Sequence, residues 1–338
     1  MKKKKSFMFP SLLLWLWFAA IGPGMSLLRS SRQPYLGLQY LSRLYSLTST
    51  SEYEYLDSGN MQRIERFGGI LISRPCPSAT WERKSIAEWS NKSVLLYDKS
   101  NEPGQWKNQD NYDIENWIYK YNSQVFKLYP SEQGQIGIFP EQHENWKWIN
   151  QFLSKYNSKD IKVLNGFAYT GGSTLAALSG GNHVKVVHLD ASKSSVKWAM
   201  DNVQLSQYNV ENCRFIVDDC ITFLEREIRR GSKYECLIFD PPAFGRGLKG
   251  KKIWKLENDM MKLVALFPSL LSDNKPNFVL LSCHDVYWPS DKLAKLLAST
   301  MASAGRKGSV EHDSMVLKSS SNGNSLPLGS YARWISVT

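Results

Sequence analysis

The chain has 338 residues, 42% of them hydrophobic, which is enough apolar material for a sizeable core and suits about two domains. Its formal net charge is +11, but residues 1–51 contain seven basic residues and no acid. Subtracting seven leaves the rest at only +4, so strong attraction to nucleic acid cannot be argued from net charge. The five cysteines form no C-x-x-C pair, signal neither a disulfide scaffold nor a zinc site, and favour a reducing compartment.

Residues 1–60 are typical of a targeting leader, and we expect them to be disordered. Four lysines, residues 2–5, precede an apolar run over residues 7–21, as in a secretory signal. The shortness of this run and Pro10 argue against stable membrane insertion. From Met25, which could be an alternative start, the chain is rich in Arg, Ser and Leu, as organellar transit peptides are. We therefore expect import into a mitochondrion or a chloroplast, with secretion as the alternative.

Residues 61–135 predict a small β-rich N-terminal module. Apolar and aromatic residues favour strands at 67–72, 93–97 and 124–129. The tryptophans between these strands are expected to pack in the core of the module. A helix at 144–152 is expected to connect the module to the first strand of the remaining chain.

Residues 136–338 alternate strands with helices, which predicts an α/β fold with a parallel sheet and helices on both faces. The expected strands are 163–165, 184–189, 213–217, 234–239 and 277–282, and the later helices 194–205, 221–230, 253–270 and 290–304, with further strands in the tail. In such sheets ligands bind beyond the carboxyl ends of the strands. Five polar or thiol residues fall at these ends, namely Asn165, Asp190, Asp219, Asp240 and Cys283. We infer an active site at this edge.

The stretch 163–190 predicts a strand, a glycine turn, a helix and a second strand. Gly171 and Gly172 supply the conformational freedom of a tight strand-to-helix turn. Asp190 ends the second strand, where a carboxylate can accept hydrogen bonds from both hydroxyls of a ribose. The turn lacks the G-x-G-x-x-G spacing that seats a pyrophosphate. A nicotinamide dinucleotide and S-adenosylmethionine (SAM) both fit this pattern, and a plain βαβ unit is the alternative.

Taken together, five segments resemble class I SAM-dependent methyltransferases, and more narrowly the group that includes the bacterial 23S rRNA cytosine-5 methyltransferases. They are VLNGFAYTGG (163–172), HLDASKSSVKWAMDN (188–202), VDDCITFL (217–224), FDPPAFGRG (239–247) and LLSCHD (280–285). The segment GIFPEQHENW (137–146) is similar to the group's lead-in to the SAM domain. The resemblance covers about residues 62–338. It implies a Rossmann-like fold with a parallel-dominated seven-stranded sheet and the activity of a SAM-dependent methyltransferase (EC 2.1.1.-).

The resemblance implies a cofactor site made of Asn165, Phe167, Ala168, Tyr169, Gly171, Asp190, Ala191, Ser192 and Asp219. In it Asp190 would bind the ribose hydroxyls, and Asp219 would accept from the adenine amino group, with Asp218 as the alternative. Asp240 and the following proline turn would face the methyl acceptor. No metal is implied. The sequence departs from the group in two respects: no N-terminal PUA domain fits, and the group's Ser-Cys-Ser is Ser-Cys-His here.

Two acceptor chemistries fit the strand ends. In the first, the thiolate of Cys283 attacks C6 of a pyrimidine and makes C5 nucleophilic, which needs a pKa below the ordinary value of about 8.5. In the second, a base amine or ring nitrogen attacks SAM directly. Asp240 and the carbonyl of Pro241 would then accept its hydrogens, and Phe244 would stack on its ring. A buried, inert Cys283 is the plainer alternative, and the variant Cys283→Ala discriminates between the two chemistries.

A basic loop follows the proline turn and could grip RNA phosphates, although a solvated surface loop is nearly as well supported. Its cations are Arg246, Lys249, Lys251, Lys252 and Lys255. Three hypotheses follow. The first is a methyltransferase that modifies a base in organellar RNA, with ribosomal RNA favoured. The second is a methyltransferase for a small molecule or protein. The third is a binding protein with this fold but without turnover, or a dinucleotide-dependent oxidoreductase. The sequence gives no oligomeric state.

Overall fold

The computed structural model describes residues 53–90, 95–98, 104–108, 110–156, 160–246, 253–274, 276–321 and 323–337. All of them belong to one unit, Leu47–Thr338. The predicted leader up to residue 52, with the start at Met25 and the apolar run, lies outside the described residues. The division of the rest at residue 135 stays a prediction, because both segments fall within this unit.

The N-terminal part is β-rich, as the sequence predicts. Its elements are β1 (Tyr53–Gly59), β2 (Gln62–Phe67), β3 (Ile70–Pro75), the short helix α1 (Ile86–Trp89), β4 (Leu95–Asp98), β5 (Gln105–Asn108), β6 (Ile118–Tyr121) and β7 (Gln124–Lys127). Strands β1 to β5 form one sheet in that order, and β6 and β7 form a separate hairpin. Only the β3–β4 pair of the five-stranded sheet is parallel.

Strand β1 corrects the predicted boundary of the leader. Residues 53–59, which we expected to be disordered, pair antiparallel with β2, with one shift of register between Tyr55 and Asp57. Tyr55 and Leu56 are buried, and the buried carboxylate of Asp57 accepts hydrogen bonds from the backbone of Lys84 and Ser85. A strand of this kind is stabilised by tertiary contacts that the local sequence does not reveal. The folded part therefore begins by Tyr53.

A hairpin replaces the single strand predicted at 67–72. Phe67 ends β2, Ile70 begins β3, and the two residues are paired across a turn at Gly68 and Gly69. Gly68 has a φ of 63°, the left-handed backbone that two-residue hairpin turns require and that glycine adopts without strain. The prediction failed because the apolar residues on either side of the turn look continuous in the sequence.

The C-terminal part contains the predicted seven-stranded sheet. After a 3-10 turn (Pro140–Gln142), its elements are α2 (His143–Ser154), β8 (Ile161–Gly166), α3 (Gly172–Leu178), β9 (Val184–Asp190), α4 (Lys193–Leu205), β10 (Cys213–Val217), α5 (Cys220–Arg229), β11 (Cys236–Phe239), β12 (Phe244–Arg246), β13 (Ile253–Lys255), α6 (Leu256–Leu270), β14 (Phe278–Cys283), α7 (Ser290–Ser303), β15 (Gly308–Leu317) and β16 (Leu326–Ser336). The strand order is β10-β9-β8-β11-β14-β16-β15.

Five strands of this sheet run parallel, and the last two run antiparallel to them. The neighbours β10, β9, β8, β11 and β14 are all paired in parallel. Strand β16 pairs antiparallel with β14 and with β15. The carboxyl ends of the parallel strands therefore meet at one edge. Residues 253–255 differ from the prediction, since they form a hairpin with β12 before α6 begins. The predicted α/β fold with a β-rich N-terminal part is confirmed.

Candidate active site

The turn after β8 is strained in a way that shapes the site. Phe167 and Tyr169 have φ values of 55° and 49°, a left-handed backbone that bulky residues rarely adopt, and Gly171 follows at 93°. Such strain persists only where neighbouring contacts hold the turn. Here the amide of Ala168 donates to the carbonyl of Leu189 at 3.1 Å. The turn is thereby fixed against the end of β9.

A buried network of side-chain hydrogen bonds supports this turn. The side-chain amide of Asn165 donates to Oγ1 of Thr174 at 2.9 Å, and that hydroxyl lies 2.9 Å from Nδ1 of His188. Burial lowers the pKa of His188 to about 3, so its ring is neutral. Asn165 is thus positioned at the predicted site, with its side chain engaged in holding β8, α3 and β9 together.

Asp190 ends β9 and is held by backbone amides. Its Oδ2 accepts from the amide of Tyr169 at 2.9 Å, and its Oδ1 accepts from the amide of Ser192 at 2.8 Å. Burial raises the pKa of Asp190, and these amides partly offset the rise. A carboxylate oriented in this way retains acceptor capacity for two hydroxyl groups, as recognition of a ribose requires.

Asp219 faces the cavity at the next strand end, and Asp218 does not. Asp219 caps α5, since its Oδ1 accepts from the amide of Thr222 at 2.9 Å. Asp218 pairs with Arg226 at 2.6 Å and is absent from the cavity wall. The placement therefore favours Asp219 over Asp218 for contact with an adenine.

One cavity of about 840 Å³ runs along the carboxyl edge of the sheet. Nine of the predicted residues line it, namely Asn165, Phe167, Ala168, Tyr169, Asp190, Ala191, Ser192, Asp219 and Asp240. We call the part of its wall around Asp190, with Tyr169 and Ser192, the Asp190 end. The part around Asp240, with Gln142 and Trp254, is the Asp240 end. Its volume lies within the range of about 300–1,000 Å³ typical of small-molecule sites. Asp190 and Asp219, the acids that we expect to contact the ribose and the adenine, both lie on its wall, so the cavity fits SAM.

Four predicted residues do not line the cavity. Gly171 lies behind the turn, with a left-handed backbone next to Ala199. Pro241 is buried, and Pro242 lines the wall instead. Phe244 lies on β12 with 54% of its surface exposed to solvent, and Cys283 is fully buried.

Cys283 is not placed as a nucleophile in this structure. Its Sγ accepts a hydrogen bond from the amide of Asp285 at 3.3 Å. Burial raises the pKa of the thiol to about 12, because a thiolate loses its hydration there. The prediction of a catalytic thiolate is therefore unsupported, because β14 carries this side chain into the apolar core. All five cysteines of the chain are buried free thiols.

The Asp240 end is built from side chains that are far apart in the sequence. The carboxylate of Asp240 follows β11 and accepts from Nε2 of Gln142 at 2.9 Å and from Oγ of Ser282 at 2.8 Å. Nε2 of His284 lies 3.5 Å from the same carboxylate. Burial alone would raise the pKa of Asp240, but these three partners outweigh it and lower the pKa. Asp240 is therefore an ionised hydrogen-bond acceptor.

Trp254 supplies the aromatic surface that we expected from Phe244. Its indole nitrogen donates to the carbonyl of Pro242 at 2.6 Å, and its ring lies 4.7 Å from that of Phe167. Gly245, Pro242 and Trp254 all line the cavity. The hairpin of β12 and β13 thus turns Trp254 inward and Phe244 outward, as alternation along a strand dictates.

Sequence reasoning missed the role of Gln142. The lead-in segment 137–146 was quoted only as a likeness, yet it supplies Gln142 to Asp240, and the wall also contains Phe139 and Trp146. The Pro-Glu-Gln run of that segment was the available signal.

The described residues add two negative findings. They contain no group of three or more His, Cys, Asp or Glu that could hold a metal ion, and none of their helices has the length and hydropathy needed to cross a membrane. The predicted basic loop belongs only in part to the described residues. Lys255 is exposed on β13, whereas Lys249, Lys251, Lys252 and the side chain of Arg246 lie outside the described part.

Comparisons with known proteins identify related methyltransferases. The chain is 33% identical over 181 residues to the ribosomal RNA large subunit methyltransferase I of Serratia proteamaculans, covering 52% of this chain and 42% of that protein. It is 33% identical over 163 residues to the methyltransferase K/L of Pseudoalteromonas translucida, covering 46% of this chain and 22% of that protein. The matched part thus spans less than half the length of these curated relatives.

A solved structure and a family model extend the comparison. The SAM-dependent methyltransferase from Agrobacterium tumefaciens superposes with a TM-score of 0.77 at 27% identity, covering 85% of this chain and 91% of that one. The model of the S-adenosylmethionine-dependent methyltransferase family matches residues 89–305. Because this match covers more than half of the chain, the protein belongs to the S-adenosylmethionine-dependent methyltransferase family.

Proposed function

We propose that this protein transfers the methyl group of SAM to a base of ribosomal RNA. The observation that carries the proposal is the continuous cavity, with a ribose-binding acid at one end and an ionised Asp240 at the other. In this proposal Asp240, which lines the cavity, would accept hydrogen bonds from an amine or ring nitrogen of a planar base. Relatives that are rRNA methyltransferases by name support the choice of substrate.

The residues at the two ends would have different tasks. Asp190 and Asp219 would hold the nucleoside of the cofactor. Bound SAM supplies an electrophilic methyl group on a sulfonium, so the protein needs only to align the acceptor and exclude water. Asp240 would orient the acceptor by accepting its hydrogen bond, and its lowered pKa suits this role better than proton removal. Trp254 and Phe167 would offer ring faces to the base.

We favour direct attack of a base nitrogen over the thiolate route. The thiol of Cys283 is buried behind the wall of the cavity, whereas Asp240 is already held in place by Gln142 and Ser282. Direct attack needs no covalent intermediate on the protein: the bond from nitrogen to the methyl carbon would form as its bond to sulfur breaks, and the surplus proton on the nitrogen would pass to solvent. The exposed Lys255 and the rest of the basic loop would contact the RNA backbone.

The test measures transfer from SAM with a labelled methyl group to RNA extracted from the organelle. Mass spectrometry of the digested RNA should show one methylated nucleoside that depends on the protein and on intact RNA. If the label appears only in small molecules or proteins, the substrate belongs to one of those classes and not to RNA. Calorimetry that detects SAM binding, together with an absence of transfer to any fraction, would indicate a binding protein without turnover.

We further propose that the protein works in a mitochondrion or a chloroplast. The support is the acid-free, Arg- and Ser-rich composition before residue 52. Residues 1–60 fused to a fluorescent protein should direct it to one of these organelles, and a fusion that begins at Met25 serves as the comparison. Entry of the fusion into the secretory pathway would overturn the proposal.

A further inference from the structure

A line of charged side chains connects the N-terminal sheet to the Asp240 end of the cavity. Arg63 of β2 lies 4.0 Å from Glu141, measured from Nη1 to Oε2. Oε1 of Glu141 lies 3.6 Å from Nδ1 of His284, and Nε2 of the same ring lies 3.5 Å from Oδ2 of Asp240. The line therefore runs through four residues of alternating charge.

Two members of this line are buried, whereas 28% of the His284 side chain is exposed to solvent. The side chains of Arg63 and Glu141 are only 5% and 2% exposed, and the facing atoms Nη1 and Oε2 make no hydrogen bond. A buried carboxylate needs a cation nearby, because desolvation otherwise disfavours its charged form. Glu141 has two such neighbours: His284 on one side, and on the other Arg63, which also faces the buried carboxylate of Glu65 at 3.2 Å.

The ring of His284 lies between two acids. Asp240 faces it from the end of β11 and Glu141 from the 3-10 turn, while the carbonyl of Leu328 in β16 lies 2.9 Å from Nδ1 and the ring of Phe139 packs at 5.4 Å. Burial acts to lower the pKa of His284, but the two carboxylates and the carbonyl outweigh it and raise the pKa to about 9. The ring is therefore protonated at neutral pH.

We propose that Glu141, paired with Arg63 of the N-terminal sheet, is a positioning residue that keeps His284 as an imidazolium against Asp240. The consequence for catalysis rests on the function proposed above, whereas the charge state of His284 belongs to the folded chain and can be measured without an acceptor.

The test is an NMR titration of the imidazole signals of the full chain with isotope-labelled histidine. The chain has five histidines, and His284→Asn identifies the signal of interest. In the wild type it should titrate near pH 9. Glu141→Gln, which keeps size and removes charge, should lower that midpoint by at least about one pH unit. The matched control is Glu144→Gln, at an exposed glutamate on the next turn, which should shift the midpoint by less than about 0.3 units.

Activity provides a second readout. If methyl transfer to RNA is observed, its rate should fall at alkaline pH with the midpoint of the His284 titration, both in Glu141→Gln and in Glu144→Gln. A merely structural role of Glu141 would lower the rate equally at every pH. A wild-type midpoint near 6.5, or a midpoint unchanged by Glu141→Gln, would overturn the proposal. Titration as expected without RNA methylation would overturn the proposed substrate and leave the charge coupling in place.

Discussion

The two ends of the cavity are built in different ways. Asp190 is held by backbone amides of Tyr169 and Ser192, which lie 21 and 2 residues away in the sequence. Asp240 is held by the side chains of Gln142 and Ser282, which lie 98 and 42 residues away. Asp190 is thus fixed by a turn of the backbone, which does not depend on particular side chains. Tertiary contacts between particular side chains fix Asp240.

This difference implies that the two ends can change independently. Backbone amides are present whatever the side chain, so the Asp190 end tolerates variation around it as long as the turn is kept. Each partner of Asp240 is a side chain that a single substitution removes. We therefore expect cofactor binding and methyl transfer to be separable by mutation.

The largest expected effect is that of Asp240→Asn on methyl transfer. The amide cannot accept from Gln142 and Ser282 as a carboxylate does, and it lacks the charge that pairs with His284. We expect kcat to fall by at least about 100-fold while the affinity for SAM changes by less than about threefold. Rates are measured with labelled SAM, and affinity by calorimetry.

The matched control for Asp240→Asn is Asp291→Asn, at an exposed acid of α7 that pairs with Lys295 outside the cavity. It should change neither quantity by more than about threefold. If Asp240→Asn instead abolished SAM binding, the distinction between the two ends would fail.

Asp190→Ala should act in the opposite sense. It removes a half-buried acceptor of two backbone amides and of the ribose hydroxyls that we propose it binds, each such charge-assisted hydrogen bond being worth about 1.5–3 kcal/mol. We expect the affinity for SAM to fall by about 100-fold or more, as measured by calorimetry. Asp201→Ala, at a solvent-facing acid of α4, is the control and should leave affinity unchanged. Unchanged affinity in Asp190→Ala would show that the ribose is held elsewhere.

The same contrast explains how much of the site the sequence predicted. The Asp190 end follows from a glycine turn, an apolar strand and a terminal acid, all within 28 consecutive residues of the sequence. Asn165, Asp190, Asp219 and Asp240 were found because the carboxyl ends of parallel strands share one edge. The alternation of strands and helices was likewise sufficient to predict the sheet.

The remaining features depend on partners that no local pattern reveals. Gln142 donates a hydrogen bond to Asp240 only when the 3-10 turn packs against the ends of β11 and β14. Cys283 ends β14, as Asp190 ends β9, but its side chain points to the opposite face of the sheet from its neighbour Ser282. A shift of one residue along a strand reverses the face, and the sequence alone could not fix that register.

Gly171→Ala should have a smaller effect at the Asp190 end. The glycine has a φ of 93°, and an added Cβ would lie 3.1 Å from Cβ of Ala199. Left-handed backbone costs an alanine about 1–2 kcal/mol, which we expect as a loss in the free energy of unfolding and as a roughly tenfold loss of SAM affinity. The control is Gly231→Ala, with a φ of 70° and no neighbour within 4 Å. Gly231→Ala should lower the free energy of unfolding without changing SAM affinity. An equal loss of SAM affinity in Gly231→Ala would contradict a role of the Gly171 turn in cofactor binding.

The smallest effect is expected for Cys283→Ala, and it bears directly on the Asp240 end. The thiol is buried and outside the cavity, with burial raising its pKa to about 12, so its removal should change kcat by less than about threefold. Loss of one buried sulfur should lower the free energy of unfolding by about 1 kcal/mol. Denaturant unfolding and the methyl-transfer assay measure the two quantities on the same preparation. A loss of activity beyond about 100-fold, with folding and SAM binding intact, would require the segment after β14 to move during catalysis. It would then restore the thiolate route to pyrimidine C5, because only a nucleophilic sulfur accounts for so large a loss at an otherwise inert core position.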